Sequence, residues 1–210
     1  MRVGFFGGTF DPPHRGHLAV ALAAADALRL DCVLLAPVAI QPLKTGLATA
    51  SFADRLAMVS LLAKHDPRME PSDLDHPQPH ALPNYTVDTL SRLKECLPPA
   101  SRLFLLLGAD SFSDLPRWKE PLRILRLAEI IVASRPDASM LDPIEKIADT
   151  EHARHLRARI HILNTVHEDV SATELRARLS AGESCEDWVL PEVLGYIRDH
   201  GLYQRNEHSI

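Results

Sequence analysis

The chain has 210 residues, 46% of them apolar, and a net charge of −5. That length and apolar share suit one large domain, or one domain with a small appendage, with a full core, and the acidic balance argues against a general nucleic-acid surface, which is usually basic. Three widely spaced cysteines, Cys32, Cys96 and Cys185, fit reduced thiols in a cytoplasmic protein rather than a disulfide frame, and no charge-free apolar run approaches the ~18 residues of a membrane span.

Val3-Gly4-Phe5-Phe6 reads as a first strand, so no signal peptide is expected ahead of it. Gly7-Gly8-Thr9-Phe10-Asp11-Pro12-Pro13-His14-Arg15-Gly16-His17 follows as a strand-to-helix turn, and Leu18 to Ala25 reads as helix. Two adjacent glycines let backbone approach a ligand closely. A helix N-terminus offers free N–H groups and a positive dipole end to phosphate. His14 and His17, three residues apart, share one face of the first turn. The stretch therefore describes a polyphosphate cradle with two imidazole donors.

Cys32 to Pro37 is a buried-type run that completes a βαβ unit with a right-handed crossover. Residues 39–50 form a polar loop carrying Lys44. Ser51 reads as an N-cap, with Asp54 at the third helical position, for a helix Phe52 to His65 that turns Leu56, Val59, Leu62 and Ala63 inward. Arg55 on that helix reads as a surface or ion-pairing residue. Met69 to Asp73 is a short strand, Asp75 to Asn84 a proline-bearing loop, and Tyr85 to about Leu97 a helix. Arg102 to Leu107 is the strongest strand. It ends in Gly108-Ala109-Asp110, which places a carboxylate where doubly wound sheets bind ligands.

A helix is expected from Trp118 to about Leu127, then a strand Glu129 to Ser134 closed by Arg135-Pro136. A helical pattern runs from Asp142 to about Arg159, and Ile160 to Leu163 is a strand. Ser171 caps a helix that stops at Gly182. The last helix runs from about Pro191 to His200 with Gly201 as its cap, and residues 205–210 are expected to fray. The expected fold is α/β: a doubly wound parallel sheet with helices on both faces. It forms a single domain over 1–204, with a small helical C-terminal part from about 171. His76 and His80, and His152 and His155, have helix-compatible spacing but no carboxylate pattern such as His-Glu-x-x-His, so no metal site is expected.

The glycine turn, written Gly-Gly-Thr-Phe-Asp-Pro-x-His-x-Gly-His, resembles the nucleotidyltransferase signature of the nicotinate mononucleotide adenylyltransferases. Its His-x-Gly-His core alone is shared with pantetheine-phosphate adenylyltransferases, cytidylyltransferases and class I aminoacyl-tRNA synthetases. Further segments extend the likeness over most of the chain: Arg55-Leu56-Ala57-Met58, Tyr85-Thr86-Val87-Asp88-Thr89-Leu90, Gly108-Ala109-Asp110-Ser111 with Leu115-Pro116-Arg117-Trp118, Ser134-Arg135-Pro136, Val170 to Arg176, and Tyr196 to Tyr203. Three positions depart from it. Pro42-Leu43-Lys44 keeps the lysine of a Pro-Pro-His-Lys type loop but not its second proline or its histidine. Ala172 stands where the family has a second serine. Lys119 follows Trp118 where an aromatic can occur.

The resemblance implies a Rossmann-like nucleotidyltransferase that moves an adenylyl group from ATP to nicotinate mononucleotide, in NAD biosynthesis. It implies His14, His17, Lys44 and Arg176 as the catalytic set. ATP would meet Gly7, Gly8, Thr9, Phe10, His14, His17, Gly108, Asp110, Ser134, Arg135, Ser171, Thr173 and Arg176. The mononucleotide would meet Lys44, Tyr85, Thr86, Asp110 and Trp118, with its ring stacked on the indole. Mg²⁺ would ride on the ATP phosphates, without a protein cage. The partners are ATP and nicotinate mononucleotide, with no nucleic acid and no membrane; a homo-oligomer is left open.

The chemistry agrees with that set. The attacking phosphate is already an anion, so alignment and charge stabilisation by donors suffice. A sister transferase would lack the Tyr85 to Leu90 and Trp118 segments. A regulatory module with a dead site would have lost His14, His17 or Arg176. A tRNA synthetase fragment would show a Lys-Met-Ser-Lys-Ser type loop and a basic face.

Overall fold

The computed structural model describes residues 1–43, 48–134, 142–145, 147, 156–164 and 171–204. Lys44, Arg135, His152, His155 and residues 205–210 lie outside that set. Six strands, β1 (Arg2–Gly8), β2 (Cys32–Pro37), β3 (Met69–Pro71), β4 (Arg102–Gly108), β5 (Glu129–Ser134) and β6 (Ile160–Asn164), form one sheet in the order β3-β2-β1-β4-β5-β6. Every pairing is parallel. Among the described residues the α-helices are α1 (Arg15–Leu28), α2 (Phe52–Ala63), α3 (Thr86–Cys96), α4 (Ala109–Ser113), α5 (Pro121–Leu127), α6 (Asp142–Glu145), α7 (Ala172–Ser180) and α8 (Pro191–Asp199).

The apolar runs account for this layering. In β4 the side chains alternate: Leu103, Leu105 and Leu107 enter one core cluster while Phe104 and Leu106 enter the other. Successive strand residues point to opposite faces, so an unbroken apolar run demands cover on both, which is the pattern of a buried parallel sheet. Helices α1 and α2 cover one face, and α3 and α5 the other. Leu175 of α7, Val193 and Ile197 of α8, and Tyr203 beyond it share the cluster of α1 and α2. The C-terminal helices are therefore part of the main core rather than an appendage.

The sheet opens at its switch point. Strand β1 pairs with β2 as far as Gly8↔Pro37, but with β4 only as far as Phe5↔Leu105. Beyond Phe5 the two central strands part, and β4 continues beside β5 to Gly108↔Ala133. The crevice at the carboxyl ends of β1 and β4 is where open α/β sheets take ligands.

Several local expectations change. Gly7 and Gly8 are the last two residues of β1, held in register by β2, so the turn begins at Thr9. The helix expected from Trp118 begins at Pro121, because a proline at the first helical position lacks the N–H that a longer helix would need. Trp118, Lys119 and Glu120 form the lead-in instead, with Glu120 at φ +50°. On α2, Leu56 is only half-buried, while Arg55 is 1% exposed.

Arg55 is the largest correction. Its Nη1 donates to the carbonyls of Thr9 (2.6 Å) and Val38 (2.8 Å), and its Nε to that of Ala50 (3.2 Å). Burial pulls its pKa down, and the Asp11 charge partly offsets that. One guanidinium thus ties the turn after β1 to both ends of the 38–50 loop. Arg55→Lys should cost about 2 kcal/mol, because a single ammonium cannot reproduce the fork and leaves buried carbonyls unpaired. Urea denaturation measures this; a loss under ~0.5 kcal/mol would show that the fork is dispensable.

Candidate active site

The turn after β1 is shaped by Phe10, which sits at φ +48° and is buried beneath the site. A non-glycine residue holds a left-handed conformation only where its surroundings impose it. Here the imposing contacts are Phe6, edge-on at 5.6 Å between ring centroids, and His17 at 4.7 Å. His14 then takes extended angles and becomes the N-cap of α1.

The two imidazoles meet with centroids 3.8 Å apart. The His14 backbone N–H donates to His17 Nδ1 at 3.2 Å. That bond makes Nδ1 the acceptor, so the neutral His17 ring carries its proton on Nε2 as a donor. Burial pushes the His14 pKa down to about 4, so its ring is neutral at pH 7. Among the described residues His14 Nδ1 is buried with no hydrogen-bond partner. A buried unpaired polar atom is costly, and such atoms concentrate where a ligand or function claims them.

These groups line a cleft of about 1390 Å³. That is larger than the ~300–1,000 Å³ typical of a single small-molecule pocket. Gly7, Gly8, Thr9, Phe10, His14 and His17 form one wall. Gly108 and Asp110, at the β4–α4 junction, lie across the opening left by the parting strands. Tyr85, Thr86 and Trp118 form a further side, and Ser171 and Ala172 close the rim at the start of α7.

Two of the helix N-termini that face this space differ in state. Ser171 caps α7, its Oγ accepting from the Glu174 N–H at 3.1 Å. Tyr85 precedes α3 with no side-chain cap, leaving the first-turn N–H groups of Thr86 and Val87 to other partners.

Not every expected residue lines the cleft. Thr173 and Arg176 lie outside the lining. Arg176 Nη1 donates to the Asp11 carbonyl (2.8 Å) and Nη2 to Thr173 Oγ1 (3.2 Å), so the guanidinium rests on the turn beside the site. Ser134 ends β5 next to Ala133, which does line the cleft. Lys44 and Arg135 fall outside the described residues.

The sequence reading missed three contributors and gave a fourth, Lys119, only as a departure from the family pattern. Asp11 is 2% exposed and binds across three segments, as described below. Asp75, 5% exposed, lines the cleft; its Oδ1 accepts from Thr89 Oγ1 at 2.5 Å, and burial raises its pKa. Asn84 Oδ1 accepts from the Ile40 N–H (3.0 Å) and its Nδ2 donates to the His76 carbonyl (2.9 Å), which fixes the loops ahead of Tyr85. Lys119 Nζ lies 4.5 Å from the Tyr85 ring centre and 2.9 Å from Asp88 Oδ2, at the cleft mouth. Asn84 beside Tyr85 and Asp75 ahead of the prolines were visible residues, but nothing in their spacing says which way they face. His76 lies in a loop and His80 in the short 3-10 turn Pro79–Ala81, at φ +58°, so the two do not share a helix face.

A parallel 3-2-1-4-5-6 sheet, a cleft at its switch point, and paired imidazoles at a helix N-terminus define a nucleotidyltransferase. The cytidylyltransferase-like family pattern matches residues 5–178, in agreement. The chain belongs, within that class, to the nicotinate-nucleotide adenylyltransferase family. It is 42% identical over 202 residues to a Roseiflexus sp. protein of that name, covering 96% of this chain and 98% of the relative. It is 38% identical over 204 residues to one from Neisseria meningitidis serogroup B, covering 97% and 99%. The fold is similar to that of Plasmodium falciparum nicotinic acid mononucleotide adenylyltransferase complexed with NaAD. That likeness has a TM-score of 0.73 at 20% identity and covers 96% of this chain and 97% of the other.

Proposed function

We propose that this chain transfers the adenylyl group of ATP to nicotinate mononucleotide, releasing pyrophosphate and forming nicotinate adenine dinucleotide. The observation that carries this reading is the pairing of two sites across one cleft. The imidazole pair at the start of α1 suits a polyphosphate, and the uncapped start of α3 beside Trp118 suits an anionic aromatic ring.

A phosphate oxygen of the mononucleotide attacks the α-phosphorus of ATP. The bond from that phosphorus to the bridging oxygen breaks, and pyrophosphate leaves with the electron pair. No proton need be removed from the nucleophile. The protein's work is alignment and stabilisation of charge on the phosphoryl oxygens. In this reading His17 Nε2–H and His14 donate to the phosphates, and Arg176 moves from the Asp11 carbonyl to the leaving pyrophosphate. Lys44 meets the same phosphates from its loop. Asp110 accepts from a ribose, and Trp118 stacks on the pyridine ring.

The donor set of imidazoles, guanidinium and N–H groups suits the phosphates themselves rather than a cation. Mg²⁺ would accordingly be held by phosphate oxygens and water, where it neutralises charge on the departing pyrophosphate. Among the described residues no helix is long and apolar enough to cross a membrane.

The test is pyrophosphate release with ATP and each candidate acceptor, with the product identified by mass. Release with nicotinate mononucleotide is expected. Release only with CTP, or only with a phosphopantetheine acceptor, would replace this reading with a sister transferase. Ala172, on the rim, belongs to the same assay. The N–H groups of α7 and the Ser171 cap remain in place without a serine there. Ala172→Ser should therefore shift the ATP KM by less than one hydrogen bond's ~0.5–1.5 kcal/mol. An inactive parent revived by the serine would mark a degenerate site.

A further inference from the structure

Tyr203 lies near the C-terminal end of the described chain, after α8, yet its hydroxyl donates to Asp11 Oδ1 at 2.7 Å across 192 residues of sequence. It is 7% exposed and sits at φ +61°, an unfavourable conformation for a residue with a side chain. The Gly201 turn, at φ +59°, brings the chain back over the core to reach that position. Two further donors meet the same carboxylate: the Thr49 N–H at 2.7 Å on Oδ2 and the Ala50 N–H at 3.1 Å on Oδ1. A carboxylate offers about four lone-pair sites, so three partners nearly saturate it. Of the two guanidiniums that face this carboxylate, Arg55 is held by three carbonyls, while Arg176 Nη1 stands 3.9 Å from Oδ2 and bonds the Asp11 carbonyl instead.

We propose that Tyr203 is a positioning residue for the transfer: by donating to Asp11 it draws off charge from that carboxylate, weakens its pull on Arg176 and leaves the guanidinium available to phosphate. The inference rests on the reading of Arg176 as the pyrophosphate clamp. Without the hydroxyl the carboxylate keeps two N–H donors and more of its charge, and with Arg55 held by three carbonyls the guanidinium best placed to close on it is Arg176, already 3.9 Å from Oδ2. A bidentate Arg–carboxylate pair is among the strongest of charge-assisted contacts, and phosphate would then have to compete with it. Burial, followed by the Asp11 bond, raises the Tyr203 pKa, so the phenol stays a donor throughout the neutral range.

The experiment is Tyr203→Phe, which keeps the ring and removes only the bond, alone and in an Arg176→Gln background. In the parent, kcat/KM for ATP should fall about tenfold, the scale of one charge-assisted hydrogen bond, while KM for the mononucleotide stays within about twofold. In the Arg176→Gln background the same substitution should change ATP kinetics less than about twofold, because the residue through which it acts is gone. The rise in melting temperature on adding saturating ATP gives a second readout that survives a lowered baseline; it should shrink in Tyr203→Phe. Parental ATP kinetics in Tyr203→Phe overturn the proposal, and so does a loss of equal size in both backgrounds, which a merely structural role would produce. Parental ATP kinetics in Arg176→Gln alone overturn it as well, and that outcome counts against the clamp itself.

Discussion

Replacing His17 by alanine lowers kcat at least ~100-fold while the chain stays folded, the loss typical of one transition-state donor. The expectation comes from the tautomer. His17 Nδ1 is committed to the His14 N–H, so its other nitrogen is the donor, on a ring pinned against Phe10 and beside His14. A donor preoriented in this way costs no reorganisation when charge develops on the phosphoryl oxygens. Alanine also removes the acceptor of the His14 N–H, but the helix start keeps a second anchor, the Arg15 N–H that donates to the Trp188 carbonyl at 2.7 Å. Steady-state turnover of the purified variant, with a melting curve to confirm folding, decides the matter. Turnover within a few-fold of the parent would remove His17 from the reaction.

The second large effect is the choice between the acid and amide forms of the mononucleotide, expected at ~100-fold or more in kcat/KM, or ~2.7 kcal/mol, in favour of the acid. The uncapped start of α3 presents backbone N–H donors and a positive dipole end. Both oxygens of a carboxylate accept from such a site. An amide brings an NH₂ that leaves donors facing donors, and a buried mismatch of that kind is costly.

The carboxylates nearby do not reverse this. Asp88 is paired with Lys119, and Asp75 has one oxygen taken by Thr89 while the other lies towards Gly7, 3.9 Å from where a Cβ there would stand. Lys119 adds a cation beside Tyr85 at the mouth. Measuring kcat/KM for both mononucleotides at one ATP concentration is sufficient. Equal values, or preference for the amide, would mean that Asp75 rather than the helix terminus reads the ring substituent.

Much of this molecule is legible along the chain because its signals are local. Apolar runs such as Leu103 to Leu107 announce strands buried on both faces. Ser51 and Ser171 announce helix starts, and both cap as expected. The Gly7 to His17 stretch announces a strand-to-helix turn, and six of its predicted residues line the cleft. Strand bounds such as Cys32 to Pro37 and Glu129 to Ser134 follow from composition alone. The errors are local too: Pro121 outweighed Trp118 as a helix start, and Gly7 and Gly8 stayed in the strand because β2 pairs with them.

What the chain order conceals is the set of contacts between residues far apart in it. Arg55 looks like a surface arginine until three carbonyls from two other segments surround it. Asp11 is a letter in a motif until Thr49, Ala50 and Tyr203 converge on it. Asp75 sits in a proline-bearing loop until the fold turns it into the cleft. Periodicity and capping report which face of an element is apolar and where it begins, because those depend on neighbours within a few residues. The partners of a buried charge depend on which segments the packed sheet brings together, and only the assembled fold supplies them.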